Sequence, residues 1–212
     1  DMDDLLAISE KHNIPIVEDA CQAILAEYKG KRTGTFGSMA GYSLHPLKNL
    51  NVWGDAGVIA TDSDAHYHTL RLLRNHGMKN RDEIEIFGYN SRLDTIQAVV
   101  GNCLIDQAPG ITSKRIENAQ RYDKAFQACN DTIRLPFRRP DVKRVYHLYI
   151  FETDCRDELH TYLLEKKISS KIHYPIPLFL QKGLAHLGYK QGDFPETERQ
   201  GRSILTLPVD QH

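Results

Sequence analysis

Lys48 stands between the apolar stretch Ala40-Gly41-Tyr42-Ser43-Leu44-His45-Pro46-Leu47 and the glycine-punctuated turn Trp53-Gly54-Asp55-Ala56-Gly57. Asp19 closes a second short apolar run, Ile14-Pro15-Ile16-Val17-Glu18, with Cys21 and Gln22 just beyond it. A lysine and an acid, each at the mouth of a buried strand, are what pyridoxal phosphate chemistry needs. The amine forms a Schiff base with the cofactor aldehyde, and the acid keeps the pyridine nitrogen protonated so that the ring accepts electrons. An anion beside that nitrogen favours the cationic form by simple attraction. Taken singly, the lysine would be a solvated surface group and the aspartate a cap for the next helix. In combination, at the carboxyl ends of neighbouring strands where open α/β sheets hold their ligands, they point to a site.

Further residues group around this pair. Gln22 lies three positions after Asp19, within reach of the same ligand. Ser43 lies five before Lys48; its hydroxyl can donate to a phosphate oxygen, or it is an ordinary strand serine. Asn90 precedes Ser91-Arg92-Leu93-Asp94, in which Ser91 and Asp94 have the spacing of a helix capping box. A helix start also presents free N–H groups to anions. Arg92 would then sit in a first turn that the helix dipole makes unfavourable for a cation, which hints at an anionic ligand there.

The elements that must hold these residues read as α/β. A helix over 3–12 feeds a strand at 14–18, and strands follow at 40–44 and 58–61. A helix over 63–76 is expected, capped by Asp62 and ended by Gly77. Short apolar strands alternating with helices predict a mainly parallel sheet. A helical tract from Tyr89 to Cys129 breaks at Pro109-Gly110. Residues 1–129 thus read as the C-terminal portion of a large domain with a long connecting helix. Residues 130–212 form a small α+β domain, with strands at 145–151 and 169–174 around a helix at 156–167.

Composition narrows the function. The chain has 212 residues, 41% hydrophobic and 26% charged, an ordinary globular balance. A net charge of −1 gives no electrostatic reason for binding nucleic acid or an anionic membrane. No apolar run approaches a membrane span and no leader is recognisable. The cysteines at 21, 103, 129 and 155 lack a CxxC pair and read as reduced thiols of a cytoplasmic protein, neither disulfide frame nor metal site. His66 and His68, two apart on a helix, face different ways and receive no metal role. The first residue is Asp1 and the first element is already a helix, so a segment of a longer chain is expected, truncated at both ends.

The stretches 17–23 (VEDACQA), 42–50 (YSLHPLKNL), 54–57 (GDAG), 73–77 (LRNHG) and 88–98 (GYNSRLDTIQA) occur in order with matching gaps. Together they resemble the DegT/DnrJ/StrS family of pyridoxal-phosphate-dependent nucleotide-sugar aminotransferases, which has the aspartate aminotransferase fold (fold type I). His173-Tyr174-Pro175 and Gln181 resemble that family too. The resemblance implies that Lys48 is the catalytic, cofactor-bearing lysine. It implies that Asp19 partners the pyridine nitrogen, Gln22 lies beside the ring hydroxyl and Ser43 contacts the phosphate. Asn90 would be lent across a homodimer to the neighbour's cofactor phosphate, giving a shared active site. Arg92, His173 and Tyr174 would lie near the nucleotide-sugar substrate. The implied reaction moves an amino group from glutamate or glutamine to a nucleotide-linked keto-sugar, 3-keto in preference to 4-keto, for deoxyamino-sugar or polysaccharide biosynthesis.

Two departures stand out. Ala56 occupies a position where the family usually has a second glycine. The family's phosphate loop and ring-stacking aromatic, from its N-terminal half, have no counterpart here, so this chain alone is expected to bind the cofactor poorly. A sugar dehydratase of the same fold, or a non-catalytic regulatory domain, are the alternatives. Lys48 speaks against the dehydratases that carry histidine at that position, and the scattered cysteines against an iron–sulfur version.

Overall fold

The structure is a computed structural model that describes residues 1–129 and 131–211. Asn130 and His212, the limits of the expected small domain, lie outside the described residues. In chain order, α1 (Met2–His12) leads into β1 (Val17–Asp19), followed by β2 (Glu27–Tyr28), β3 (Lys31–Arg32), β4 (Met39–Ser43) and β5 (Gly57–Ala60). Helices α2 (Asp64–Leu73), α3 (Thr95–Leu104) and α4 (Ala108–Phe126) come next, then β6 (Val142–Lys143) and β7 (Tyr149–Glu152). The chain continues through α5 (Arg156–Glu165), α6 (Pro195–Ser203) and β8 (Ile204–Leu207). The architecture is mixed α/β. The sequence predicts a mainly parallel sheet, but among the described strands only β1 and β4 pair in parallel, and β5 returns beside β4 through a loop with no crossover helix.

Two compact units divide the chain: Asp1–Ser113 with Pro140–His147, and Lys114–Arg139 with Leu148–His212. The sequence places the division near residue 129, whereas the units part within α4 and residues 140–147 return to the first. That return is made by β6, which pairs with β2 (Lys143 opposite Glu27), and by a 2.8 Å ion pair between the same two side chains.

The first unit holds the sheet β1-β4-β5. β1 and β4 run parallel with Asp19 opposite Gly41; β4 and β5 run antiparallel with Ser43 opposite Gly57. Beneath the ends of β4 and β5, Leu44, Leu50 and Val52 form a buried cluster against Ile24, Ala56 and Leu104. β1 starts later than expected because Ile14 donates its N–H back to Ser9 after Asn13 closes α1 in a left-handed conformation. Pro15 then has no N–H to offer. α2 is capped by Ser63, whose hydroxyl accepts from His66 N–H, rather than by Asp62. It ends at Leu73 because residues 74–77 turn to bond with the segment around Asn90. Gly77, at φ +71°, permits that turn: a Cβ there would lie 1.6 Å from the carbonyl oxygen of Ile86.

The long helical tract breaks at a 3₁₀ turn over Ile105–Gln107, not at Pro109-Gly110. Pro109 is instead the second residue of α4, where a missing N–H leaves no bond unmade.

The second unit is built on the antiparallel pair β7-β8. Tyr149, Phe151 and Leu205 are almost fully buried, and Tyr149 and Phe151 pack against Tyr122 and Phe126 of α4 with ring centres 4.8 and 5.3 Å apart. The Tyr149 hydroxyl donates to Asp123, and burial together with that carboxylate pushes its pKa well up. β7 begins at Tyr149 rather than 145, after Tyr146 takes a positive φ of 48°. Among the described residues 169–174 form no strand, only a bridge between Lys171 and Thr206.

Candidate functional site

Asp19 is the last residue of β1, and the next N–H, of Ala20, still donates to Gly41 on β4. The chain then turns sharply, and Cys21 N–H donates to Asp19 Oδ1 at 3.1 Å. The Cys21 thiol meanwhile reaches the Gly41 carbonyl at 3.6 Å. The Asp19 carboxylate is thus fixed at the carboxyl edge of two parallel strands while remaining exposed to solvent. Hydrogen bonding from Cys21 holds its pKa below the ordinary 3.8, and the positive charge of Lys48 acts in the same direction. The Cys21 thiol is pushed up by its bond with Asp19, with partial burial adding to the effect. Gln22 follows on the same turn, exposed.

Lys48 does not lie on a strand. It is half-buried in the loop between β4 and β5, and that loop is braced from within. Lys48 N–H donates to His45 O at 2.8 Å, and Val52 N–H to Leu44 O at 3.1 Å. Leu47 N–H donates to His45 Nδ1, and His45 Nε2 lies 3.7 Å from Asp55 Oδ1. Ser43 Oγ accepts the His45 N–H at 3.3 Å; its own hydrogen can still be offered to an anion. Below the loop, Leu50 and Val52 are buried in the cluster already described.

A second group adjoins this loop through Asp55. A cavity of about 500 Å³ is lined by Asp55–Gly57 and by residues 90–94. Neither Asp19 nor Lys48 is among its lining residues. Arg92 Nε donates to Asn90 Oδ1 at 3.1 Å, so these two sequence-predicted residues touch. The segment is set by backbone bonds to the end of α2: Tyr89 N–H to Leu73 O, His76 N–H to Tyr89 O and Ser91 N–H to Arg74 O. Asp94, rather than Ser91, is the N-cap of α3 and makes no side-chain cap bond. The expected capping box is therefore not formed, because backbone pairing holds Ser91 three residues before the N-cap. Arg92 precedes the first turn instead of lying in it.

In the second unit, His173 Nδ1 is 2.9 Å from Thr206 Oγ1, and burial, then the nearby Lys171, pushes its pKa below the ordinary value. Tyr174 is exposed, and the peptide joining the two is cis. The first unit thus gathers Asp19, Cys21, Ser43 and Lys48 at one edge of the sheet, and Asn90 with Arg92 at a cavity.

Sequence reasoning passed over Cys21, His45 and Glu18. Glu18 accepts three backbone N–H groups, from Gly34, Phe36 and Gly37, at 2.6–2.7 Å. Its position beside Asp19, facing a glycine-rich loop, was the available signal. Among the described residues no group of three or more metal-binding side chains occurs, and no helix is long and apolar enough to cross a membrane.

The edge at Asp19 suits a pyridine ring. Its carboxylate is exposed and held anionic, a cation acts on it, and a Cβ on the facing Gly41 would meet nothing within 4 Å. The lysine, hydroxyl and carboxylate there are the donor set that a phosphorylated aldehyde cofactor uses.

Comparison with known proteins gives concordant results. The profile of the DegT/DnrJ/EryC1/StrS aminotransferase family matches residues 1–212. A "pleiotropic regulatory protein" of Geobacillus stearothermophilus is 38% identical over 210 residues, 99% of this chain and 56% of its own length. A "dTDP-3-amino-3,4,6-trideoxy-alpha-D-glucose transaminase" of Streptomyces venezuelae is 36% identical over 212 residues, 100% of this chain and 56% of its own. The solved structure of S. venezuelae DesV, in complex with a ketimine intermediate, superposes with a TM-score of 0.95 at 37% identity. It covers 100% of this chain, which matches 57% of it. The chain therefore spans a little over half the length of the relatives it matches.

Proposed function

The chain belongs to the DegT/DnrJ/EryC1/StrS aminotransferase family, and from that premise we propose that it is the lysine-bearing part of a pyridoxal-phosphate-dependent nucleotide-sugar aminotransferase. The observation that carries this reading is the Asp19 carboxylate, anchored at the carboxyl end of β1 and kept anionic by Cys21 and Lys48. When bound, the cofactor supplies an aldehyde that condenses with amines and a ring that accepts electrons.

The chain's own residues supply the rest. Lys48 Nζ offers the amine and carries the proton taken from the α-carbon of the amino donor. Asp19 retains the proton on the ring nitrogen by charge attraction. Gln22 lies beside the ring hydroxyl and Ser43 Oγ donates to the phosphate. Asn90 serves the phosphate of a second copy in a homodimer. Arg92, His173 and Tyr174 contact the nucleotide-sugar.

Glutamate or glutamine is the proposed donor. The preference for a 3-keto sugar is supported by the names of relatives such as the S. venezuelae transaminase. A cytoplasmic setting is supported by four free thiols. Activity belongs to a protein of the relatives' full length. The regulatory alternative gains some support from the name of the Geobacillus relative, while Lys48 and the anionic Asp19 favour chemistry.

The test is turnover. A protein of full relative length carrying this chain, given L-glutamate and a dTDP-linked 3-keto sugar, should yield 2-oxoglutarate and the 3-amino sugar in equal amounts. Turnover of the 4-keto isomer alone would overturn the substrate assignment. No amino transfer from any donor would overturn the activity.

A further inference from the structure

Asn49 follows Lys48 directly, and its side chain is only 6% exposed. Its Nδ2 donates to the carbonyl of Val145 at 2.7 Å, across 96 residues of sequence. Its Oδ1 is buried with no partner among the described residues. An orphaned buried acceptor is unfavourable, and an apolar side chain of similar shape would avoid that desolvation cost. Packing alone therefore does not account for an asparagine here; the bond from Nδ2 does. The acceptor is itself secure, because Val145 is buried and its segment is held to β2 through Lys143 and Glu27.

The loop that carries Lys48 is closed upon itself by the bonds of Lys48 and Val52 to His45 and Leu44. Asn49 ties that loop to a distant segment of the same unit. We propose that Asn49 is a positioning residue: by clamping the backbone next to Lys48 against Val145, it fixes the point from which the amine is presented. The inference rests on Lys48 being the cofactor lysine, and its test separates the two claims.

The assay incubates the full-length protein with pyridoxal phosphate, reduces it with borohydride over a time course, and quantifies the modified Lys48 peptide by mass. Thermal melts are recorded in parallel. Asn49→Leu should slow capture at Lys48 by about tenfold or more, because small misplacements of a reacting group are costly, while the melting temperature holds or rises. Asn49→Asp adds a pH readout. Its carboxylate cannot donate to Val145, but its protonated form can. Capture relative to the parent protein should therefore recover as pH falls from about 8 towards 5, since burial raises a carboxyl pKa.

Parent protein modified at Lys48 with Asn49→Leu captured equally fast would overturn the role of Asn49 and leave the function standing. Loss of capture only in step with loss of melting temperature, together with a pH-independent ratio for Asn49→Asp, would also overturn it. Modification of another lysine in the parent protein would overturn both claims.

Discussion

Asp19 shows how much chemistry one residue draws from its neighbours. Its carboxylate is nearly as exposed as that of a surface aspartate, yet Cys21 and Lys48 hold its pKa below 3.8. A depressed carboxyl pKa contributes stability that is present above the unfolded value and is lost as pH falls through the folded one. The urea stabilities of the parent protein and Asp19→Asn should therefore converge as pH falls below 3.8; a gap that widens with acid would contradict the assignment. At neutral pH, Asp19→Asn should weaken pyridoxal phosphate binding by about tenfold or more, because the neutral amide offers no charge attraction to a protonated ring nitrogen. Equilibrium titration of the cofactor absorbance measures it, and unchanged affinity would remove Asp19 from the site. Asp19, Lys48, Asn90 and Arg92 were marked as candidates by short motifs in the sequence. Cys21 and His45 were not, because they act through bonds to loop backbone that no periodicity announces.

Elements were legible where their ends are made by local chemistry and illegible where distant backbone decides. Helix α1 matches expectation because Asp1 caps one end and Asn13 turns out of the other. The start of α3 shifted because strand-like bonds from residues 73–76 hold 89–91 outside it, a partner that Ser91 and Asp94 cannot reveal. Glu18 makes a comparable long-range tie. Its two oxygens fasten the turn at 34–37 to β1, next to the site. Replacing it by alanine leaves three N–H groups without their acceptor. Glu18→Ala should cost about 3 kcal/mol, on the scale of bonds to a charged group, and should open residues 33–38 to proteolysis. Denaturant midpoints and the rate of cleavage in that loop check this; a loss well under 1 kcal/mol with no new cleavage would show that the loop holds itself.

The division of the whole molecule into two units was the least legible feature. Residues 140–147 rejoin the first unit through pairs such as Lys143 with Glu27 and Asn49 with Val145, 96 to 116 positions apart, far beyond any local pattern. The α/β class and the family were legible, because ordered motifs span nearly the whole chain, but the strand directions were not: among the described strands only β1 and β4 pair in parallel. At this scale the proposed sharing of Asn90 between copies makes a quantitative prediction. Mixing inactive Lys48→Ala with inactive Asn90→Ala, after dissociation and reassembly, should restore about a quarter of the parent activity. Half the reassembled dimers are hybrids, each with one intact site. No recovery would place Asn90 and Lys48 in the same copy's site. The most direct measurement remains the attachment point of the cofactor. Pyridoxal phosphate added to the full-length protein, reduced with borohydride and mapped by peptide mass, should mark Lys48 and be lost in Lys48→Ala. A mark on another lysine, or none, would contradict the central claim.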